Sequence, residues 1–172
     1  MSTQTFSHLQ NIHVLIADDE RMIQRLVYDV LTQLGFRKIT VASSGRQAID
    51  LLKRQPYDFI ITDWRMKDFE GIDIINFVRS SPDSPNPRMP IIMLTGNTEA
   101  HYVCTARDAG VNEYLIKPFT TDQLVRRIRS LIERPKPFVE SPAYKGPDRR
   151  HKSDEPPQGK DRRWGKRRGP SS

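Results

Sequence analysis

The sequence predicts an α/β fold: a doubly wound, five-stranded parallel sheet with helices on both faces, followed by a disordered tail. Five short runs rich in Ile, Val and Leu alternate with segments whose apolar residues recur at helical spacing. Short runs that are apolar throughout are typical of parallel strands buried on both faces. Strict alternation of strand and helix favours an open α/β sheet over a bundle or a sandwich.

The five apolar runs are the predicted strands: residues 12–17, 39–42, 57–62, 91–94 and 113–116. The first helical stripe covers residues 23–34 and stops at Gly35, a residue common at helix C-termini. Three further stripes lie between the later strands, at residues 48–52, 72–78 and 103–109. The fifth follows Thr120 and Gln123, whose spacing is that of a capping box, and continues to residue 132.

Charge and proline divide the chain into three predicted parts: an N-terminal extension (1–11), a domain (12–134) and a basic tail (135–172). The formal net charge is +7, and the tail alone holds 11 Lys or Arg against 5 Asp or Glu. Seven of the 13 prolines also lie there. Such composition is typical of disordered segments. The tail carries the motif G-x-D-R-R twice, at residues 146–150 and 159–163.

Composition also argues against several classes of protein. No apolar run reaches the roughly 18 residues that span a membrane, and the N-terminus lacks the pattern of a secretory signal. The single cysteine, Cys104, allows no internal disulfide, so we expect a cytoplasmic protein. We expect no nucleotide cofactor or zinc, since glycine-rich phosphate loops and zinc-ligand spacing are both missing.

Polar residues follow four of the predicted strands, and they are the candidate site: Asp18, Asp19 and Glu20, then Asp63, Thr95 and Lys117. The carboxyl ends of parallel strands meet at one sheet edge, where such folds bind ligands. Clustered carboxylates repel one another, and Mg²⁺, which prefers oxygen ligands and phosphate, relieves that repulsion. One carboxylate could then attack a phosphoryl group. Lys117 and Thr95 would stabilise its oxygens.

Four motifs in this order resemble the response regulator receiver domain of the CheY-like kind. They are IADDE (16–20), TDWRM (62–66) with Gly71, LTG (94–96) and YLIKPF (114–119). The resemblance covers residues 12–134 and implies a flavodoxin-like sheet. It also implies a single-domain response regulator, which takes a phosphoryl group from a histidine kinase or phosphotransfer protein and catalyses only its own phosphotransfer and dephosphorylation.

The resemblance assigns a role to each candidate residue. Asp63 would be the phosphoacceptor, and Thr95 and Lys117 would contact the phosphoryl group. Asp19 would ligate Mg²⁺ directly, together with Asp63, and Asp18 would hold the ion largely through water. The backbone carbonyl of Arg65 would complete the ligands from the protein. Tyr114 would be an aromatic switch that turns inward when Thr95 moves toward the phosphate. Downstream proteins would bind the surface of helix 4, strand 5 and helix 5, or the tail.

The sequence departs from the family pattern beside the phosphoacceptor. Lys67 stands where the family usually has proline, Glu70 where aspartate is common, and Gly96 where alanine is usual. These changes leave Asp63 as the predicted phosphoacceptor. We expect Lys67 to alter the rigidity of its loop or to weaken metal binding.

Two other functions are compatible with parts of the sequence. A phosphorylation-switched nucleic-acid binder could use the basic tail, with Tyr144 and Trp164 as stacking surfaces. The acid in each G-x-D-R-R copy argues against simple phosphate attraction, so protein docking is favoured and nucleic acid is not an expected partner; anionic lipid is a further option. A phosphohydrolase of the haloacid dehalogenase type would need D-x-D after the first strand, where the chain has Asp18-Asp19.

Overall fold

The computed structural model describes residues 8–96 and 100–150. Strand and helix alternate through most of this part of the chain. The strands are β1 (His13–Ala17), β2 (Lys38–Ala42), β3 (Phe59–Asp63), β4 (Ile91–Thr95), β5 (Glu113–Ile116), β6 (Phe138–Ser141) and β7 (Tyr144–Pro147). The helices are α1 (Arg21–Leu34), α2 (Gly45–Arg54), α3 (Gly71–Ser80), α4 (Ala100–Ala109) and α5 (Thr121–Glu133).

The main sheet has the order β2-β1-β3-β4-β5, and all four of its strand pairs are parallel. This confirms the predicted doubly wound, five-stranded sheet. The chain moves from β1 outward to β2, then returns to the other side of β1 for β3 and continues outward. The order therefore reverses between β1 and β3, and ligands of such folds bind at this reversal, beyond the carboxyl ends of the strands.

Two apolar layers cover the sheet, one on each face. The helices α2, α3 and α4 pack on one face and α1 and α5 on the other. Strand residues alternate between the layers: Leu15 and Ala17 belong to the first, Val14 and Ile16 to the second. Both faces of the central strands β1, β3 and β4 are buried, which explains why the sequence shows continuous apolar runs there instead of an alternating pattern.

Helix ends follow the local signals in the sequence. α1 stops at Gly35, whose φ of 105° is in the left-handed region that glycine adopts without penalty. α5 starts at Thr120, whose side chain accepts a hydrogen bond from the Gln123 amide, while the Gln123 side chain accepts one from the Thr120 amide. The predicted capping box is confirmed. β3 begins at Phe59, two residues later than predicted, and includes Asp63.

The structure differs from the predicted tail at its beginning. Residues 138–141 and 144–147 pair as an antiparallel hairpin, β6–β7, within the region predicted to be disordered. An isolated two-stranded ribbon is at best marginally stable in water, and this one packs against α3 and α4. Sequence periodicity does not report such tertiary contacts. Residues 151–172, with Trp164 and the second G-x-D-R-R copy, lie outside the described residues, as do residues 1–7.

None of the helices in the described ranges is both long enough and apolar enough to cross a membrane.

Candidate functional site

The candidate site lies where the strand order reverses. Asp18 directly follows β1, Asp63 ends β3, Thr95 ends β4 and Lys117 directly follows β5. Backbone hydrogen bonds hold these positions in register: the Trp64 amide donates to the Leu94 carbonyl at 2.7 Å, and the Lys117 amide to the Thr95 carbonyl at 2.7 Å. The site is therefore built on the rigid sheet rather than on a free loop.

Four carboxylates converge at this edge. Asp18, Asp19, Glu20 and Asp63 each offer an oxygen, and these four oxygens all lie within 4.8 Å of one another. The Asp18 side chain is fully buried and that of Asp63 is 7% exposed, whereas Glu20 is mostly exposed. The structure thus brings together the three predicted metal-binding aspartates, and adds Glu20 to them.

The Lys117 ammonium group lies among these carboxylates. Its Nζ is 3.1 Å from Asp18 Oδ2, 3.2 Å from Glu20 Oε1 and 3.4 Å from Asp63 Oδ1. Lys117, which the sequence predicts to contact a phosphoryl group, therefore lies against the acidic cluster in the structure. One ammonium group set against four carboxylates leaves this group of five residues with a negative net charge when all are ionised.

Burial and charge repulsion shift the proton equilibria of the site. Desolvation, followed by the charge of Asp18, raises the pKa of Asp63 to about 6, although Lys117 opposes the shift. Desolvation also raises the pKa of Asp18. Burial works against the charged form of Lys117, but the charges of Asp18 and Asp63 outweigh it and its pKa is raised. Lys117 is a cation at neutral pH, and the ionised aspartates are held at an energetic cost.

The donor set fits Mg²⁺. The converging atoms are carboxylate oxygens, the hard ligands that Mg²⁺ prefers, and the excess negative charge together with the raised pKa of Asp63 shows that a further cation would be stabilised here. The Arg65 backbone lies beside Asp63, to which its amide donates a hydrogen bond. The Arg65 carbonyl as a metal ligand stays a prediction.

Gly71, the first residue of α3, packs closely against the backbone of the loop that follows β3. Its amide donates to the Trp64 carbonyl at 2.6 Å. Any Cβ on Gly71 would overlap the Asp63 carbonyl oxygen and lie 3.0 Å from the Trp64 Cα. Because both neighbours are backbone atoms of β3 and its following loop, a larger residue at position 71 would displace Asp63 itself.

Hydrogen bonds to two acidic side chains, those of Asp19 and Asp68, also fix the position of this loop. The Lys67 backbone amide donates to Asp19 Oδ2 at 2.9 Å, a bond that proline could not make because it lacks the N–H. Asp68 accepts hydrogen bonds from the amides of Gly45 and Arg46 at 3.1 and 3.2 Å, at the start of α2. Sequence reasoning missed the role of Asp68, since it caps a helix 23 residues away.

The remaining predicted residues lie on neighbouring strands. The Thr95 side chain is at the buried end of β4, with the residue 5% exposed. Tyr114 lies on β5 and is 37% exposed, so its ring is at the surface in this structure. Trp64, which the sequence places beside the site, is buried and forms an edge-on ring contact with Tyr102.

Comparisons with known proteins agree with this geometry. The model of the response regulator receiver domain family matches residues 14–129. The chemotaxis protein CheY-3 of Vibrio cholerae is 34% identical over 125 residues, which are 73% of this chain and 95% of that protein. The chemotaxis protein CheY of Pseudomonas aeruginosa is 35% identical over 121 residues, 70% of this chain and 96% of that protein.

Solved structures give the same result. The receiver domain of the sensor histidine kinase PA1611 from Pseudomonas aeruginosa, solved with a magnesium ion in its active-site cleft, has a TM-score of 0.62 and 31% identity; the similarity covers 71% of this chain and 98% of that domain. The receiver domain of the Francisella response regulator 1452 has a TM-score of 0.65 and 31% identity, covering 73% and 100%.

A doubly wound sheet with an acidic pocket and a lysine at the reversal of strand order defines a receiver-type fold and site. The chain belongs to the response regulator receiver domain family and is a CheY-like response regulator of two-component signalling. The predicted resemblance is confirmed. Proteins of this family are signalling proteins and not classical enzymes.

Proposed function

We propose that Asp63 accepts a phosphoryl group from a histidine kinase or a phosphotransfer protein in a Mg²⁺-dependent reaction. The observation that carries this proposal is the position of the Asp63 carboxylate, 3.4 Å from the Lys117 ammonium group and within one cluster with Asp18 and Asp19. A nucleophilic carboxylate, a cation for the phosphoryl oxygens and oxygen ligands for a metal are thus present in one pocket.

The transfer is a displacement at phosphorus. An ionised Asp63 oxygen attacks the phosphorus atom and forms an acyl phosphate, while the phosphorus–nitrogen bond to the donor histidine breaks and its electron pair returns to the imidazole. The Lys117 ammonium group and the Thr95 hydroxyl stabilise the oxygens of the transferred group. With its pKa at about 6, Asp63 is largely ionised at neutral pH and ready to attack.

Asp18, Asp19, Asp63 and the Arg65 carbonyl would hold Mg²⁺ in this proposal. When bound, the ion neutralises charge on the carboxylates and on the phosphoryl oxygens. The residues of this chain do the rest. Lys117 keeps its bond to the fully buried Asp18, which fixes the ammonium group beside Asp63.

Phosphorylation-dependent protein binding is the proposed output. In this proposal Thr95 moves toward the phosphoryl group and Tyr114 turns inward from its exposed position on β5. The surface of α4, β5 and α5 would bind the partner, and α5 contributes the exposed Arg126 and Arg127 to it. We propose that residues 12–134 form a single-domain response regulator, with 1–11 as an extension, and that it acts in the cytoplasm.

Intact mass spectrometry tests the proposal. The protein is incubated with Mg²⁺ and a small acyl phosphate, in parallel with samples that contain a chelator instead of Mg²⁺. We expect one phosphoryl adduct in the wild type, which is lost with the chelator and in Asp63→Asn. Asp58→Asn is the matched control, because Asp58 lies at the opposite end of β3, where it accepts a bond from the His13 amide. An adduct of equal yield in Asp63→Asn would overturn the proposal.

The described part of the tail gives the nucleic-acid alternative no support. Tyr144, one of its two stacking candidates, donates its hydroxyl to the Pro147 carbonyl, and its ring is covered by Arg149 at 3.5 Å. Arg149 in turn binds Asp108 at 2.6 Å. Both groups are thus engaged within the molecule. The alternative requires binding that falls steeply with salt and is lost on deletion of residues 135–172.

A further inference from the structure

The C-terminal segment that follows α5 lies on one corner of the domain. We call residues 136–150 the strap, and the end of α3 with the end of α4, namely Arg79, Asp108 and Gly110, the α4 corner. The strap contains the hairpin β6–β7. The backbone of the strap packs directly against the backbone of the α4 corner. A Cβ atom added to Gly146 would lie only 2.7 Å from the Cα of Gly110.

The first G-x-D-R-R copy supplies the contacts that fasten the strap. Gly146 permits the close approach to Gly110. Asp148 folds the chain back, since its amide donates to the Pro137 carbonyl at 2.7 Å and its Oδ1 accepts from the Arg150 amide at 2.9 Å. The Arg149 guanidinium forms an ion pair with the carboxylate of Asp108 on α4, with Nη1 2.6 Å from Oδ1. The same guanidinium stacks on the ring of Tyr144 in the strap. The motif therefore acts as a docking motif in its first copy.

Phe138 adds an aromatic contact to this interface. Arg79 is almost fully buried, and its guanidinium donates to the carbonyls of Gly110, Pro87 and Met89 at distances of 2.6–3.1 Å. The Phe138 ring lies 5.5 Å from the Arg79 guanidinium carbon, within reach of a cation–π contact. The strap thus covers a buried cation that already holds the α4–β5 turn.

The strap touches α4 at the end that lies away from the phosphoacceptor. The other end of α4 begins at Ala100, five positions after Thr95 in the site. A helix is a stiff element, so a displacement of its start, when Thr95 moves toward a phosphoryl group, also changes the position of its end.

We propose that the α4 corner is a docking surface for the chain's own strap, and that strap docking and phosphorylation of Asp63 oppose each other. This inference rests on the proposed function. The strap stabilises the α4 position seen here, and by reciprocity of coupling, phosphorylation weakens strap docking as much as docking disfavours phosphorylation. Release frees Arg149 from Asp108 and makes it available to a binding partner.

Hydrogen exchange at the amides of the β6–β7 hairpin shows whether the strap is docked or released. A two-stranded ribbon is not stable without its packing surface, so undocking removes the protection of its amides from hydrogen exchange. Gly146→Val places side-chain atoms against the Gly110 backbone and forces the strap away. Arg149→Gln removes the bond to Asp108 and leaves the strap backbone unchanged. Glu140→Gln is the control, because Glu140 pairs with Lys145 on an exposed face of the hairpin.

The experiment measures hydrogen exchange and intact mass on the full chain, with and without Mg²⁺ and an acyl phosphate. We expect residues 138–147 to be protected in the wild type and to lose protection once the phosphoryl adduct forms. In Gly146→Val, residues 138–147 should be unprotected both with and without the acyl phosphate. At a limiting concentration of acyl phosphate, this variant should form about five-fold more phosphoryl adduct than the wild type. Arg149→Gln should lie between, and Glu140→Gln should match the wild type.

Two results would overturn the inference while leaving the proposed function intact. One is an adduct on Asp63 with unchanged protection of residues 138–147. The other is a Gly146→Val protein that loses this protection yet forms the adduct to the wild-type extent. Failure of the proposed function is separate, since the wild type would then form no adduct that depends on Asp63.

Discussion

The surroundings of Asp63 disfavour the ionised form of its side chain. Desolvation and the neighbouring Asp18 raise its pKa to about 6, compared with 3.8 for an unperturbed aspartate. A raised pKa in the folded state means that the folded protein binds the proton more tightly than the unfolded chain does. Protonation of Asp63 therefore stabilises the folded state. This contribution is fully present below about pH 4 and is lost as the pH rises through about 6.

Asp63→Asn should therefore stabilise the metal-free protein in a pH-dependent manner. We expect the free energy of unfolding of the variant, relative to wild type, to be greater at pH 7.5 than at pH 4 by up to about 3 kcal/mol, from a pKa difference of about 2. Urea unfolding in the presence of a chelator at both pH values measures it. A relative stability that is independent of pH would mean that Asp63 ionises without penalty.

Lys117 is the cation that faces Asp63, the proposed phosphoacceptor. Lys117→Ala removes the contacts to Asp18 and Asp63, and with them a preorganised partner for the phosphoryl oxygens. Loss of one such group commonly slows catalysis about 100-fold or more. We expect a decrease of this order in the initial rate of phosphorylation by an acyl phosphate, measured by intact mass. Lys53→Ala, on α2, is the control; a rate within about two-fold of wild type in Lys117→Ala would contradict this role.

The residues of the site were predictable because each one ends or follows a strand. Asp18, Asp63, Thr95 and Lys117 needed only the strand positions and the rule that parallel strands end at one edge. Glu20 as a third carboxylate partner of Lys117 was not predicted, since its contact depends on the path of the chain into α1.

At the scale of elements, the β3–α3 loop is fastened differently from the family pattern. Proline at position 67 would restrict the backbone but give Asp19 no donor, whereas Lys67 donates its amide to Asp19 Oδ2 at 2.9 Å. A bond to a charged oxygen is stronger than one between neutral groups. The bond therefore competes with any metal ion for the lone pairs of that oxygen.

Lys67→Pro should tighten Mg²⁺ binding, since it removes the competing amide donor. We expect a decrease of about three- to ten-fold in the dissociation constant, which corresponds to about 1 kcal/mol, a typical net value for one hydrogen bond. Fluorescence of Trp64, which lies in the loop, can follow the titration. Lys67→Ala keeps the amide and should bind as wild type does. Equal constants for the proline and alanine variants would show that the hydrogen bond has no influence.

The elements of the main sheet followed from the sequence, and the hairpin did not. The three central strands, β1, β3 and β4, are continuous apolar runs because both of their faces are buried. The strap has no such run, and its residues Pro137, Pro142 and Pro147 are signals of irregular chain. Its order comes from contacts with α3 and α4, which are distant in sequence.

On the scale of the whole molecule, one buried arginine joins four parts of the structure. Arg79, at the end of α3, donates to the Pro87 and Met89 carbonyls before β4 and to the Gly110 carbonyl after α4, and it contacts Phe138 in the strap. Burial lowers its pKa to about 10, so it remains charged at neutral pH. These carbonyls take the place of an acidic partner.

Arg79→Met should destabilise the whole domain. The methionine keeps much of the volume but leaves buried carbonyl oxygens without a donor, at about 1–3 kcal/mol each. We expect a loss of about 3 kcal/mol or more in the free energy of unfolding, measured by urea denaturation at neutral pH. Arg88→Met is the control, because Arg88 also lies over the Phe138 ring but is exposed. Equal stability of the two variants would contradict this account.

The position of the phosphoryl group tests the central claim most directly. After reaction with an acyl phosphate and Mg²⁺, borohydride reduces a phosphorylated aspartate to homoserine, and peptide mass spectrometry then locates that residue. The account predicts homoserine at position 63. Homoserine at Asp18 or Asp19 with Asp63 unmodified, or no homoserine in a protein that carries the adduct, would contradict it.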